Sequence, residues 1–184
     1  ARPVGFTLAL TLPKADPPWL ESFSQGLSSS AQKYTCPLIG GDMSKGPLSV
    51  CIQVHGLVKV GKAICRNNAK PGDLVYVSGS LGEAGLALEL IQGKSFDESL
   101  SAEDTLHLES AYFLPQPRID LGLALSGLAN SAIDISDGLL ADLGHISQSS
   151  DVSITLHTEK IPISSLVKKI IGPEKALLMA ISAG

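Results

Sequence analysis

Residues 131–146 constrain the fold more than any other stretch, because an apolar segment turns there through two aspartates into a helix. The stretch reads Ser-Ala-Ile-Asp-Ile-Ser-Asp-Gly-Leu-Leu-Ala-Asp-Leu-Gly-His-Ile. Apolar and β-branched residues precede the turn and favour a strand. After the turn, apolar residues recur at helical spacing, at Leu139, Leu140, Leu143 and Ile146. The pattern predicts a strand that ends at Asp134, a tight turn, and a helix opened by residues 136–138.

This turn combines carboxylates with the start of a helix. The first N–H groups of a helix have no partner within it and favour an anion such as phosphate. The carboxylates of Asp134 and Asp137 suit Mg²⁺, a hard cation that shares oxygen ligands with substrate phosphates. The alternative is that Ser136 or Asp137 only caps the helix. Asp134 is expected to point away from Ile133 and Ile135. Because it lies among apolar residues, where an unpaired charge is unfavourable, it needs a partner, and a metal is one candidate.

A second glycine-rich segment follows a short apolar strand at residues 36–47, which read Cys-Pro-Leu-Ile-Gly-Gly-Asp-Met-Ser-Lys-Gly-Pro. Gly40 and Gly41 would let the backbone approach a ligand closely, because glycine has no Cβ. Asp42 follows directly, and Lys45 is long enough to reach a phosphate. The alternative is a plain turn in which Asp42 and Lys45 are solvated, and the spacing by itself favours that alternative.

Composition and charge narrow the classes of function. The 184 residues are 44% apolar and 17% charged, which is typical of a soluble globular protein. The formal net charge of −4, without a basic block, argues against nucleic acid as the main partner. Three cysteines without CxxC spacing indicate buried or free thiols in a reducing compartment. The four histidines show no metal-like spacing, and no apolar run approaches the ~20 residues of a membrane span.

Alternation and helical spacing predict the other elements. Strands are expected at residues 4–12, 48–55, 74–78, 131–135 and 152–156. Helices are expected at about 17–34, after the turn at 79–85, and at 101–113, 118–125, 164–171 and 173–181. Ser101 and Asp104 resemble a capping box. The domain boundary is placed near residues 57–62, and both ends suggest a piece of a longer protein.

Residues 132–146 closely resemble the signature of the thiamine-monophosphate kinases. That family belongs to a larger group of ATP-binding proteins that resemble aminoimidazole ribonucleotide synthetase. Residues 40–46 are similar to the family's Gly-Gly-Asp-Thr-Thr-Arg-Gly loop, although Met43 and Lys45 depart from it. The resemblance implies an α/β (α+β) fold in two parts. Residues 1–60 would be the remainder of an N-terminal ATP-binding domain, and residues 61–184 a truncated C-terminal α/β domain.

The resemblance also implies the residues of the site. The expected Mg²⁺ ligands are Asp42, Asp134 and Asp137, and the expected nucleotide contacts are Gly41, Asp42, Arg66 and Ser136. A planar guanidinium at Arg66 suits phosphate, although the spacing alone favours an ordinary surface arginine. Three converging carboxylates would need cations, because each raises the pKa of its neighbours. No side chain is expected to act as a covalent or acid–base catalyst.

The implied activity is phosphorylation of thiamine phosphate by ATP, giving thiamine diphosphate, in a cytoplasmic homodimer. Mg²⁺ and ATP are the implied cofactor and co-substrate, and neither nucleic acid nor a membrane is expected as a partner. One alternative is another ATP-using enzyme of the same group, such as a selenophosphate synthetase. Another is an inactive nucleotide-binding fragment, because the family's amino-terminal Asp-rich loops and its Gly-Glu-Asp-Tyr-Glu motif are absent here. An exposed sheet edge would promote pairing with another chain.

Overall fold

A computed structural model of the chain describes residues 1–183 as two compact units. The first unit contains Ala1–Ala63 together with Ile119–Leu123, and the second contains Ile64–Arg118 together with the chain from Ala124 onwards. The strands are β1 (Arg2–Leu12), β2 (Leu38–Lys45) and β3 (Ser49–Leu57). The helices are α1 (Pro17–Lys33), α2 (Glu83–Ile91), α3 (Ala102–Phe113), α4 (Ile119–Ala124), α5 (Leu139–Ser150), α6 (Ser165–Ile171) and α7 (Pro173–Ser182), with a short 3₁₀ helix at Thr158–Lys160. None of the described helices is long and apolar enough to cross a bilayer.

The first unit is a three-stranded sheet in the order β2-β1-β3 with one long helix. β1 runs parallel to β2 and antiparallel to β3. Alternate residues of β1 form its core, and Phe6, Leu10 and Leu12 are buried. Helix α1 begins with proline in its first turn, where the missing N–H leaves no hydrogen bond unmade. The predicted strand and helix at the start of the chain are confirmed.

The Gly40–Asp42 segment was expected in a turn, and that prediction is wrong. These residues lie inside β2, where Gly41 pairs with Leu8 and Asp42 with Ala9. Position 41 requires glycine within this pairing, because a Cβ there would lie 2.0 Å from the carbonyl oxygen of Leu8. Glycine therefore allows a close approach of backbone, as expected, but it is the neighbouring strand that approaches.

One apolar face of the sheet is only partly covered within the first unit. The register places Val50, Ile52 and Val54 of β3 on the same face as the buried side chains of β1. These three side chains are 45%, 46% and 59% exposed. An open apolar groove of about 810 Å³ also lies against this face, and α1 contributes to its lining. We refer to Val50, Ile52 and Val54 as the β3 strip.

The second unit is built from helices around two apolar clusters. The first cluster has as its buried members Leu81, Leu139, Leu143, Ile146, Ile161 and Ala180. The second has Leu86, Ala87, Leu108, Val167, Ile170 and Ala176. Helix α3 starts at the predicted capping box, because Ser101 Oγ accepts from Asp104 N at 3.0 Å and Asp104 Oδ2 accepts from Ser101 N at 3.2 Å. Ser101 Oγ also donates to Asp104 Oδ2 at 2.8 Å, and this bond, together with the one from Ser101 N, holds the pKa of the Asp104 carboxyl below its ordinary value.

The strands predicted in the second unit are wrong. Residues 74–77, 132–135 and 152–157 are irregular, and the described part of this unit contains only isolated parallel bridges, Cys65 to Ser131 and Leu81 to Ile163. The apolar members of the three segments still pack against the first cluster; they are Val77, Ile133, Ile135, Ile154 and Leu156. Alternation thus indicated which side of the chain faces the core. A strand also requires a partner in hydrogen-bonding register, which alternation does not encode.

Candidate functional site

The turn at residues 134–138 keeps its two predicted metal carboxylates in solvent. Ile133 and Ile135 pack against the first cluster, whereas Asp134 and Asp137 are exposed. The predicted alternation is therefore confirmed. The prediction that Asp134 is unfavourably placed without a partner is wrong, because its neighbours Ile133 and Ile135 are half-buried while Asp134 itself is exposed. Its exposure is a property expected of a ligand that must meet a substrate, and also of an ordinary surface aspartate.

Neither Ser136 nor Asp137 caps the following helix. Helix α5 begins at Leu139, and its N-cap position is occupied by Gly138, with no side-chain hydrogen bond to the cap within the described residues. Gly138 has φ 109° and ψ 153°, a region that is accessible essentially only to glycine. The helix start is delayed to Leu139 because this conformation interrupts the helical path. The capping alternative is thus wrong, and of residues 136–138, which were expected to open the helix, only Gly138 takes the N-cap position.

The amide groups of the turn are held by Asp142, a residue that sequence reasoning missed. Its Oδ2 accepts from the backbone N–H of Ser136 at 2.9 Å and from that of Asp137 at 3.2 Å. Asp142 is only 2% exposed. These two N–H groups are therefore occupied by a carboxylate of the protein, so a phosphate would have to meet the side chains of the turn or the remaining amides. The available signal was an acidic residue beside Leu139 and Leu143 on an otherwise apolar helix face.

Asp142 belongs to a group of possible metal ligands that combines carboxylates with an imidazole. Asp137, Asp142 and His145 each offer one ligand atom, and these atoms lie within 4.8 Å of one another. Oxygen and imidazole nitrogen are both common ligands of divalent cations. The spacing of histidines among themselves did not reveal this group, since its other two members are acidic.

Arg66 is anchored beside the same segment through its backbone. Its carbonyl oxygen accepts from Ser131 Oγ and from Ser150 Oγ, both at 3.0 Å. The neighbouring Cys65 carbonyl accepts from the N–H of Ala132 at 3.3 Å. The residue itself is exposed. The backbone bearing the guanidinium is thus tied to the start of the segment that leads to Asp134.

The predicted site residues are divided between the two units. Gly41 and Asp42 lie on β2 in the first unit, where both are exposed. The other predicted residues, Arg66, Asp134, Ser136 and Asp137, lie in the second unit. Within the second unit, the structure links Arg66 to the signature segment by hydrogen bonds and joins Ser136 to Asp137 through Asp142.

Two protein-family models match consecutive parts of the chain, separated by a short unmatched segment. Residues 1–58 match the AIR synthase related protein, N-terminal domain, and residues 70–183 match the AIR synthase related protein, C-terminal domain. The chain therefore belongs to the AIR synthase related protein family. Within that family it is similar to thiamine-monophosphate kinases. It is 44% identical over 184 residues to the one from Escherichia coli K12, which covers 100% of this chain and 56% of that protein.

Solved structures agree with this relationship. The chain matches the crystal structure of thiamine-monophosphate kinase from Stenotrophomonas maltophilia K279a with a TM-score of 0.91 and 40% identity, covering 100% of this chain and 59% of that one. A structure described as AaThiL complexed with AMPPCP and TMP matches with a TM-score of 0.81 and 29% identity, covering 99% and 59%. The predicted resemblance and the mixed α/β fold are confirmed. The chain spans little more than half the length of the curated relatives it matches.

Proposed function

We propose that the protein to which this chain belongs transfers a phosphoryl group from ATP to thiamine phosphate, giving thiamine diphosphate. The 44% identity to a thiamine-monophosphate kinase along the whole chain carries this proposal. It is supported by the AaThiL structure, which is a complex with AMPPCP and TMP. AMPPCP is an ATP analogue in which a methylene group replaces the β,γ-bridging oxygen. The 184-residue chain alone is proposed to be inactive, because it covers only 56% of that relative.

The reaction needs little covalent help from the protein. A phosphate oxygen of thiamine phosphate forms a bond to the γ-phosphorus of ATP, the bond from that phosphorus to the bridging oxygen breaks, and ADP leaves. The nucleophile is already an anion, so no general base has to remove a proton. Such transfers depend mainly on alignment and on neutralising charge. This fits a predicted site that contains carboxylates, an arginine and a serine but no acid–base pair.

The proposed metal ligands are Asp42, Asp134 and Asp137, with Gly41, Asp42, Arg66 and Ser136 as nucleotide contacts. The exposed carboxylates of Asp134 and Asp137, three positions apart in one turn, fit a hard divalent cation. Mg²⁺, when bound, would neutralise charge on the phosphates. Arg66 would grip a phosphate through its guanidinium fork. We also propose the domain division at residues 1–60 and 61–184.

Substitution of Asp134 tests the metal role. Asp134→Asn removes one negative charge at an exposed position, and we expect the affinity of the chain for Mg-AMPPCP to fall by about tenfold or more. Isothermal titration calorimetry at constant Mg²⁺ concentration would measure this change. The matched control is Asp97→Asn, which removes the same charge from an exposed residue in the loop before α3. Equal affinity for Asp134→Asn and the control would assign Asp134 a purely structural role.

The homodimer is proposed to form through the first unit. β3 is an edge strand with a free outer side, and the β3 strip leaves apolar surface in solvent. We expect Ile52→Lys to weaken self-association by about tenfold or more, because a buried lysine charge would be unpaired. Analytical ultracentrifugation would measure the change. Gln53→Lys introduces the same charge on the opposite face of β3 and serves as control. If both variants associate like the wild type, the strip is not the interface.

A further inference from the structure

Asp142 has an arrangement that its position on a helix does not by itself explain. Its side chain is buried, and burial of a carboxylate is unfavourable unless hydrogen bonds satisfy it. A single oxygen, Oδ2, receives the N–H groups of two consecutive residues, Ser136 and Asp137. Hydrogen bonds to an ionised acceptor are stronger than those between neutral groups. The negative charge near the first turn of α5 also interacts favourably with the helix dipole.

These two bonds restrict the turn that carries the proposed ligands. Because both amides converge on one buried oxygen, the two peptide units are turned toward the protein. The side chains of Ser136 and Asp137 are both exposed. The next residue, Gly138, is buried, and its Cα lies against the backbone of Ser182, since a Cβ there would be 2.7 Å from the Ser182 carbonyl carbon. The turn is therefore held by Asp142 before Gly138 and by the end of α7 at Gly138.

We propose that Asp142 is a positioning residue for the metal–nucleotide site. It acts through the backbone of Ser136 and Asp137, and it does so as a hydrogen-bond acceptor. The proposal rests on the proposed function for the identity of the ligand, Mg-nucleotide, but its structural half is independent of any ligand. A different role, in which Asp142 binds the cation together with Asp137 and His145, makes opposite predictions for the variants below.

If Asp142 acts as a hydrogen-bond acceptor, two substitutions of similar size should have different effects. Asp142→Asn retains a carbonyl oxygen that can accept from both amides, whereas Asp142→Leu retains the shape and removes the acceptor. For Asp142→Leu we expect the amide hydrogens of Ser136 and Asp137 to exchange about tenfold faster or more without ligand, and the affinity for Mg-AMPPCP to fall about tenfold or more. For Asp142→Asn we expect both quantities to stay within about threefold of the wild type. Residue-resolved hydrogen exchange by NMR and titration calorimetry are the two measurements.

Several results would overturn the proposal. One is faster exchange in Asp142→Leu with unchanged nucleotide affinity, which would confine Asp142 to a structural role. Another is a folded Asp142→Asn with protected amides but lost affinity, which would assign it to the cation; a matching loss in His145→Gln would identify the ligand set. The Asp142→Asn variant alone distinguishes a hydrogen-bond acceptor from a cation ligand. The proposal can therefore still be tested if Asp142→Leu does not fold. If the wild-type chain itself fails to bind Mg-AMPPCP, the nucleotide contacts proposed for this chain fail, while the exchange result still tests the restraint of the turn.

Discussion

Gly138→Ala is expected to destabilise the second unit by at least about 2 kcal/mol, because a strained backbone and an overpacked contact each cost about 1–3 kcal/mol. The backbone at Gly138, with φ 109°, disfavours any residue with a Cβ. The new methyl group would lie 2.7 Å from the carbonyl carbon of Ser182 and 2.9 Å from its oxygen. Neither atom is at the end of a flexible side chain, so the backbone itself must shift. Chemical denaturation followed by far-UV circular dichroism would measure the loss.

The same α5 segment provides a control of opposite sign. Gly144 lies within α5, and a Cβ there would meet nothing within 4 Å. Gly144→Ala is therefore expected to stabilise the chain by about 0.5–1 kcal/mol, because alanine loses less backbone freedom on forming a helix. Gly138→Ala should also weaken binding of Mg-AMPPCP, since the displaced turn carries Ser136 and Asp137. Wild-type stability in Gly138→Ala would contradict the close contact between Gly138 and the backbone of Ser182 at the end of α7.

Gly41→Ala is expected to destabilise the first unit by a comparable amount, at least about 2 kcal/mol. Gly41 has φ 149°, and its Cβ would lie 2.0 Å from the oxygen and 2.8 Å from the carbonyl carbon of Leu8. The pairing of β1 with β2 would have to open at this point. Trp19 is the single tryptophan of the chain and lies in α1, stacked on Phe23 at 5.0 Å between ring centroids. Its fluorescence during denaturation therefore reports on the first unit.

The neighbouring glycine is the matched control for this experiment. At Gly40 a Cβ would be in ordinary contact with Thr7 Cγ2, at 4.0 Å. Gly40→Ala is thus expected to leave stability unchanged or to raise it by up to about 1 kcal/mol, since glycine is unfavourable within a strand. Similar losses in both variants would mean that the whole segment, and not the approach of Leu8 to Gly41, sets the requirement for glycine.

The elements that were predicted correctly depend on short-range interactions. Helix α3 starts where Ser101 and Asp104 bond to each other across three residues. Helix α1 starts where Asp16 is followed by Pro17, whose fixed φ is already helical. These rules act within a few residues, so they are readable from the chain alone. The signature at residues 132–146 likewise indicates the family from the sequence alone.

The site was only partly predictable, because its geometry depends on how the chain packs and not only on local sequence rules. Asp134 was predicted to need a partner, yet packing of Ile133 and Ile135 inward leaves it in solvent. Asp142 was not among the predicted site residues, yet it bonds to amides five and six residues earlier. That contact depends on the backbone conformation of residues 136–138, including the positive φ of Gly138. Alternation alone cannot report such an event.

The sequence by itself determined the family, the acidic, basic and glycine residues of the proposed site, and the helices whose starts are set by local hydrogen bonds and proline. Tertiary structure decided which carboxylate is buried and which ones face solvent, that Gly41 lies in a strand, and that the alternating segments of the second unit form no ladder. The physical reason is common to all three. Burial, close backbone approach and strand pairing depend on partners that are brought near only by folding, whereas capping and apolar periodicity act between neighbours in the chain.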